Sequence, residues 1–182
     1  DSIVVFKAVR NRTMEDILFR FYQRNIRNAV IWPYDEKIDV AAFMRLRGLG
    51  MNLVVFDRVI AAGAADCVSV DNADAVTTLY KHLCRRCGGN VAYIGWENDV
   101  ITSNVEREAA FAAIAPKAAV FRLPWNREQN VDAAVSTLLR KIPGDKRGIL
   151  CGNGVIGIAV KRYCDGRRMN LHVACVDDLP GA

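Results

Sequence analysis

The strongest constraint on the fold is the regular alternation of short apolar runs with segments of helical periodicity. The runs are almost continuously apolar, which is typical of strands that are buried on both faces of a parallel sheet. Helices that alternate with such strands form right-handed crossover connections. The pattern therefore predicts an α/β fold that is built from parallel sheets.

The predicted strands end at polar or turn-forming residues, and the predicted helices carry apolar residues three and four positions apart. Strands are predicted at 3–8, 29–32, 53–56, 67–70, 90–95, 118–123, 148–152 and 171–176. Helices are predicted at 14–25, 38–49, 73–87, 128–141 and 154–163, with one more beginning at Ser103 and a turn at 143–145.

The alternation fails once, between Asp57 and Asn72. An Ala-rich loop follows Asp57 and leads directly to the strand at 67–70, with no helix between them. A chain that leaves one sheet for another produces such a break. We therefore expect two Rossmann-like subdomains, residues 1–70 and 71–182.

The start of one helix is predicted from the sequence Ser103-Asn104-Val105-Glu106, which has the S-x-x-E form of a capping box. In that motif Ser accepts a hydrogen bond from a backbone N–H, and Glu reaches back to the N–H of the Ser. This start places Arg107 on the first full turn, just beyond the end of a strand.

Composition and charge argue against a membrane-spanning protein and against a nucleic-acid-binding surface. A 52% apolar share and a 25% charged share suit a soluble domain with a packed core. No apolar run reaches the ~18 residues of a membrane helix. The net charge is +5, but the Lys and Arg residues are scattered along the chain, and the pairs Arg85-Arg86, Lys161-Arg162 and Arg167-Arg168 lie near predicted helix ends. That placement favours cations at helix C-termini over a nucleic-acid-binding face.

The six Cys residues are interpreted as reduced thiols of a cytosolic protein. Cys67, Cys151 and Cys175 fall in strands that we predict to be buried. Cys84 and Cys87 form a C-x-x-C pair at a helix end, without the second pair that a zinc site needs. No metal site and no cofactor are predicted.

Polar or aromatic side chains stand just past the ends of several predicted strands. They are Asp57, Arg107, Trp125, Asn153 and Asp177. In open parallel sheets this edge is where ligands bind. If two such sheets face each other, carboxylates, a guanidinium, an amide and an indole would surround one volume and suit a polyol better than a metal ion.

Each of these residues also has a purely structural interpretation. Asp57 and Asp177 could cap neighbouring turns, and Arg107 could be a solvated helix charge. Asn153 could be only an N-cap, and Trp125 could be ordinary core. The position that they share at the strand ends favours binding.

Signatures of serine hydrolases and of P-loop enzymes are absent from the sequence. It has no G-x-S-x-G elbow and no G-x-x-x-x-G-K-[ST] loop. The segment Gly152-Asn153-Gly154-Val155-Ile156-Gly157 has the G-x-G-x-x-G spacing, but a single match of this kind is a weak signal, and we predict no nucleotide cofactor. His82 and His172 fall in a helix and a strand, where structural roles are expected. We predict no enzyme and no catalytic residue.

Six motifs, in this order and spacing, resemble the sugar-sensing domain of lac-repressor-type (LacI/GalR family) transcription regulators. They are VVFDR at 54–58, VDN at 70–72, GNVAYIG at 89–95, S-x-x-x-R-x-x-A-F at 103–111, the segment 149–159, and ACVDD at 174–178. Ala110 and Gly154 depart from the Gly and Asp that the family pattern has at these positions.

The resemblance implies a periplasmic-binding-protein-like type I fold with an effector between two lobes. Asp57, Arg107, Asn153 and Asp177 match ligand-facing positions of that pattern, and Trp125 lies near its stacking aromatic residue. The implied effector is a sugar or related polyol, with a nucleoside or purine as the weaker candidate.

The resemblance also implies a cytoplasmic homodimer that binds operator DNA through an N-terminal head. Such a head is not in this chain, so we expect a sensor domain that is truncated at both ends. The first alternative is a periplasmic sugar-binding protein of a transport system. A doubly wound enzyme is the second.

Overall fold

Parallel strands and helices alternate along the chain, as the sequence pattern predicts. The computed structural model describes residues 13–33, 38–125, 130–142, 144 and 146–177. The chain divides into two compact units, Asp1–Val70 and Asp71–Ala182. The predicted strand at 3–8 and two of the three residues of the predicted turn at 143–145 lie outside the described residues.

The first unit contains a three-stranded parallel sheet with the order β1-β2-β3. Its elements are α1 (Met14–Gln23), β1 (Asn28–Ile31), α2 (Val40–Gly48), β2 (Asn52–Phe56) and β3 (Asp66–Val68). Thr13 caps α1 in a capping box with Asp16. Side chains of both helices and of β2 form its core, including Leu18, Phe43 and Leu53.

The second unit contains a four-stranded parallel sheet with the order β5-β4-β6-β7. Its strands are β4 (Val91–Glu97), β5 (Val120–Pro124), β6 (Gly148–Cys151) and β7 (His172–Cys175). Its helices are α3 (Asn72–Cys87), α4 (Thr102–Ile114), α5 (Val131–Leu139) and α6 (Gly154–Arg167).

Alternate residues of the central strands β4 and β6 enter two separate cores. Tyr93 and Leu150 join the cluster under α3 and α4, whereas Ile94, Trp96 and Ile149 join the cluster under α5 and α6. The period of two along a strand produces this division. Helices therefore cover both faces of the sheet, which explains why β4 and β6 are buried almost throughout.

The capping box predicted at Ser103 is wrong. Helix α4 begins one residue earlier, at Thr102, and its N-cap Ile101 makes no side-chain capping bond. Ser103 is buried in the first turn, and the Glu106 carboxylate accepts from Asn72 instead. Asn104 joins this end of the helix to the end of β4. Its Oδ1 accepts from the backbone N–H of Trp96, and its Nδ2 donates to the carbonyl oxygen of Trp96.

The prediction of a buried strand at 67–70 is wrong in burial and in length. Strand β3 ends at Val68, and all three of its residues are exposed. Among the described strands, β3 pairs only with β2, so it lies at an edge of the sheet. Cys67 is consequently exposed, and Cys175 is only partly buried, whereas Cys151 is buried as predicted.

Among the described residues, no helix has both the length and the apolar character that crossing a bilayer requires.

Burial separates the thiols by reactivity. Cys151 is fully buried and Cys164 nearly so. Burial raises the pKa of the Cys151 thiol well above its ordinary value and also raises the pKa of Cys164. A raised pKa leaves less of the nucleophilic thiolate at neutral pH.

We predict that a limiting dose of iodoacetamide modifies Cys67 in the folded chain and leaves Cys151 and Cys164 intact. The exposed thiol is accessible, and the buried pair is both shielded and protonated. A time course with peptide mass spectrometry measures this, with a urea-unfolded sample as the control in which all three react. Modification of Cys151 as fast as Cys67 in the folded chain would contradict the described core.

Candidate functional site

Arg107 is a buried cation at the carboxyl edge of the second unit's sheet. Because α4 begins at Thr102, Arg107 lies in its second turn rather than its first. The residue is 7% exposed. The interpretation of Arg107 as a solvated helix charge is therefore wrong, and its guanidinium must find its partners within the protein.

Three separate elements supply those partners. Arg107 Nε donates to Asn72 Oδ1 at 2.7 Å, from the first residue of α3. Nη1 donates to the carbonyl oxygen of Gly152 at 2.7 Å, directly after β6. The same Nη1 lies 3.6 Å from Asp177 Oδ1, two residues beyond β7. Charged hydrogen bonds of this kind are stronger than neutral ones, so the guanidinium has a defined orientation.

Asp177 and Asn153 meet at the N-terminus of α6. Asp177 Oδ2 accepts from Gly154 N at 2.9 Å, and Asn153 Oδ1 accepts from Ile156 N at 3.1 Å. Asn153 is thus the N-cap of α6, which is the structural role that the sequence also allowed. Within the described residues, its Nδ2 group has no hydrogen-bond partner. The positive end of the helix dipole favours the Asp177 carboxylate at this place. Asp177 keeps 49% of its side chain exposed.

The topology explains why these side chains come together. Strand β4 is followed along the chain by β5 on one side, whereas β6 pairs on its other side. The helix after β4 packs on one face of the sheet, and the helix after β6 packs on the other. The connections after β4 and β6 therefore diverge at a topological switch point, the usual ligand site of open α/β sheets.

Trp125 directly follows β5, the strand beside β4. It is partly buried and makes an edge-to-face contact with Trp96, with ring centroids 5.3 Å apart and an angle of 81°. It also packs against the core under α5 and α6. One part of the Trp125 ring therefore belongs to the core, as its structural interpretation proposed, and the rest of the ring is accessible to solvent.

Asp57 lies in the first unit, at the end of β2. Its backbone is left-handed, with φ 61°, and its N–H donates to the carbonyl oxygen of Val68 at 2.8 Å. Asp tolerates this conformation better than most residues do. Asp57 as a ligand contact stays a prediction.

Sequence reasoning missed Asn72 and Glu106. Asn72 is 3% exposed and binds both Arg107 and Glu106 through its side chain. The VDN motif drew attention to Asn72, but only as the start of the second subdomain. The S-x-x-E pattern assigned Glu106 to a helix cap that does not form.

Tyr93 lies beneath this site with its ring against two glycines. A Cβ at Gly152 would stand 2.6 Å from the Tyr93 hydroxyl oxygen, and one at Gly95 would stand 2.7 Å from Cε1. That hydroxyl is buried and has no hydrogen-bond partner within the described residues. Burial raises the pKa of Tyr93 above its ordinary value, so the phenol stays neutral.

We predict that Gly152→Ala destabilises the chain by ~1–3 kcal/mol, because the new methyl group overlaps the Tyr93 hydroxyl. Tyr93→Phe should remove much of that penalty in the double variant, since the next ring atom is 3.3 Å away. Urea unfolding of the single and double variants measures the coupling.

The matched control for this prediction is Gly166→Ala in α6, where no atom lies within 4 Å of the added Cβ. It should stabilise the helix by ~0.5–1 kcal/mol. Additive effects of Gly152→Ala and Tyr93→Phe would show that the overlap is not the cause.

Within the part of the chain that the structure describes, no three His, Cys, Asp or Glu side chains come together in a group that could hold a metal ion.

Comparison with known proteins finds no family model that matches the chain. The HTH-type transcriptional regulator PtxS of Pseudomonas plecoglossicida is 29% identical over 133 residues. The matched residues are 70% of this chain but 39% of that regulator. The chain therefore corresponds to less than half of the regulator's length.

Solved structures show which fold the chain has. A LacI transcriptional regulator from a Rhodococcus species has a TM-score of 0.68 at 15% identity, covering 90% of this chain and 62% of its own. A solute-binding protein of an ABC transporter from Agrobacterium vitis, with bound allitol, has a TM-score of 0.74 at 15% identity, covering 92% and 61%. The predicted α/β fold of the periplasmic-binding-protein-like type I class is confirmed.

The resemblance that the motifs predict is confirmed as well. In sequence this chain is similar to a helix-turn-helix transcriptional regulator, and in fold it is similar to a LacI-type regulator.

Proposed function

We propose that this chain is the effector-binding domain of a DNA-binding transcriptional regulator, and that its effector is a small sugar or polyol. The sequence similarity to a transcriptional regulator supports the regulatory role. DNA binding would belong to a part of the protein outside this chain. A cytoplasmic homodimer is part of the same proposal.

The observation that carries the proposal is the position of Arg107. Its guanidinium is buried at the topological switch point and held by Asn72, Gly152 and Asp177. A buried charge is costly to the fold even when it is paired. Binding sites are where such charges are retained, which favours a ligand with hydroxyl groups at this edge.

The chemistry of the surrounding groups suits a polyol. A hydroxyl both donates and accepts, so Asp177 can accept from it while Arg107 and the Asn153 amide donate to it. The accessible part of Trp125 offers an apolar surface to the C–H face of a sugar. Asp57 is proposed as a further acceptor. The allitol bound by the Agrobacterium vitis protein is a ligand of this chemical class.

Binding would act on a conformational equilibrium. A ligand shifts a protein between two states only by its difference in affinity for them. In a dimeric regulator such a shift can change the affinity of attached DNA-binding heads for an operator.

The alternative is a sugar-binding protein of a transport system. The fold similarity to a solute-binding protein favours it, but the sequence similarity is to a regulator. Both are binding proteins, so we propose a binding role and not a catalytic one.

We predict that calorimetric titration of the chain with pentoses, hexoses, their polyols (allitol included) and nucleosides identifies a sugar or polyol ligand. Arg107→Ala should weaken its binding by ~1.5–3 kcal/mol, because charged hydrogen bonds to the ligand are lost. A folded chain that binds no member of the panel would contradict the proposed effector.

Arg122→Ala is the matched control, because it removes an Arg of the same unit that forms a surface ion pair with Glu108. Surface pairs contribute little, so its ligand affinity should equal that of the unmodified chain. Equal weakening by both variants would assign the effect to net charge and not to Arg107.

A further inference from the structure

We propose that Asn72 is a positioning residue that fixes the orientation in which the Arg107 guanidinium meets the effector, with Glu106 holding the Asn72 amide in place. The effector part of this inference rests on the proposed function. The geometric part concerns the ligand-free chain and stands by itself.

The hydrogen-bond chain Glu106–Asn72–Arg107 is continuous and short. Asn72 Nδ2 donates to Glu106 Oε2 at 2.7 Å, and Asn72 Oδ1 accepts from Arg107 Nε at 2.7 Å. Asn72 is 3% exposed and Arg107 is 7% exposed, so solvent competes little for the inner bond. Both polar atoms of the Asn72 side chain are used.

The chemistry of the two neighbours determines which way the amide points. Arg Nε can only donate a hydrogen bond, so the Asn72 oxygen must face it. An ionised carboxylate can only accept, so the Asn72 nitrogen must face Glu106. A rotated amide would set donor against donor and acceptor against acceptor. The Glu106 carboxylate thereby selects the one rotamer of Asn72 in which the amide oxygen accepts a hydrogen bond from Arg107 Nε.

This arrangement leaves a defined part of the guanidinium for a ligand. Nε binds Asn72, and Nη1 binds Gly152 and approaches Asp177. Within the described residues, Nη2 makes no hydrogen bond. Because the guanidinium is planar, fixing Nε and Nη1 also fixes the direction of the Nη2 hydrogens. A ligand then binds without first ordering a flexible side chain, which improves affinity.

A purely structural role for Asn72 is the competing explanation. Asn72 is the first residue of α3, and its bonds could serve only to join α3 to α4. That role predicts a change in unfolding free energy. It does not predict that ligand affinity follows the presence of an acceptor at position 72.

Three variants separate these explanations. Asn72→Leu has a similar size but no acceptor for Arg107 Nε. The double variant Asn72→Asp with Glu106→Gln keeps the acceptor and the net charge, and reverses only the outer hydrogen bond. Glu106→Gln alone keeps both bonds, because its amide oxygen can still accept from Asn72. If Asn72→Leu does not fold, Asn72→Ser replaces it, since its shorter hydroxyl cannot reach Nε.

The first measurement needs no ligand. NMR relaxation of the Arg107 Nε–Hε group should show an ordered side chain in the unmodified chain and in the double variant. In Asn72→Leu the order should fall toward that of the exposed Arg162. An Arg107 Nε–Hε group that stays equally ordered in Asn72→Leu overturns the inference.

The second measurement titrates the variants with allitol, or with the panel sugar that binds the unmodified chain most tightly. Asn72→Leu should weaken binding about tenfold or more, and the double variant should stay close to the unmodified chain. Equal weakening in Asn72→Leu and the double variant would overturn the positioning role, because the acceptor would then be irrelevant.

The two proposals fail separately. If no panel compound binds the unmodified chain, the proposed function fails, and the NMR comparison alone decides whether Asn72 positions Arg107. If sugars bind and Asn72→Leu binds them normally, the proposed function survives and the positioning role is excluded.

Discussion

The second unit is organised around one physical requirement, the need of a buried guanidinium for partners. Arg107 is nearly inaccessible, yet three elements that are distant in sequence supply partners to its Nε and Nη1 groups. The Asp177 carboxylate lies close enough to balance the charge and is itself held by the first N–H of α6. The start of α3, the ends of β6 and β7 and the start of α6 are thus linked through two side chains, Arg107 and Asp177.

The sheet makes this link possible. Strands β4 and β6 are neighbours, but the helices that follow them cover opposite faces. Their connections diverge beside Arg107, at the edge where open α/β sheets usually bind ligands, and the surrounding residues keep most of the guanidinium from water. Gly152 contributes because it has no side chain: its carbonyl oxygen serves Arg107 while its Cα lies against Tyr93.

Much of the fold could be predicted from the sequence, because apolar runs such as 148–152 have few other uses than a buried strand. The errors fell where tertiary context decides. The segment at 67–70 is apolar but forms an edge strand, which a pattern of apolar residues cannot distinguish from a central one. At Ser103 a sequence typical of a cap does not form one, and the side chain of the neighbouring Asn104 binds the end of β4 instead.

The candidate site was predictable as far as it follows from strand ends. Arg107, Asn153 and Asp177 were identified in this way, and the structure brings all three together. Asn72 was not identified, because a buried amide that orients a neighbour leaves no trace in spacing or periodicity. Its role depends on the distance between two helices, which only the folded chain determines.

The most direct test of the central claim is a crystal structure of the chain with its tightest-binding sugar or polyol. The account predicts that ligand hydroxyls bond the Arg107 guanidinium and the Asp177 carboxylate, with Arg107 still held by Asn72 and Gly152. A ligand bound away from the carboxyl ends of β4, β6 and β7, or an Arg107 side chain in solvent, would contradict it.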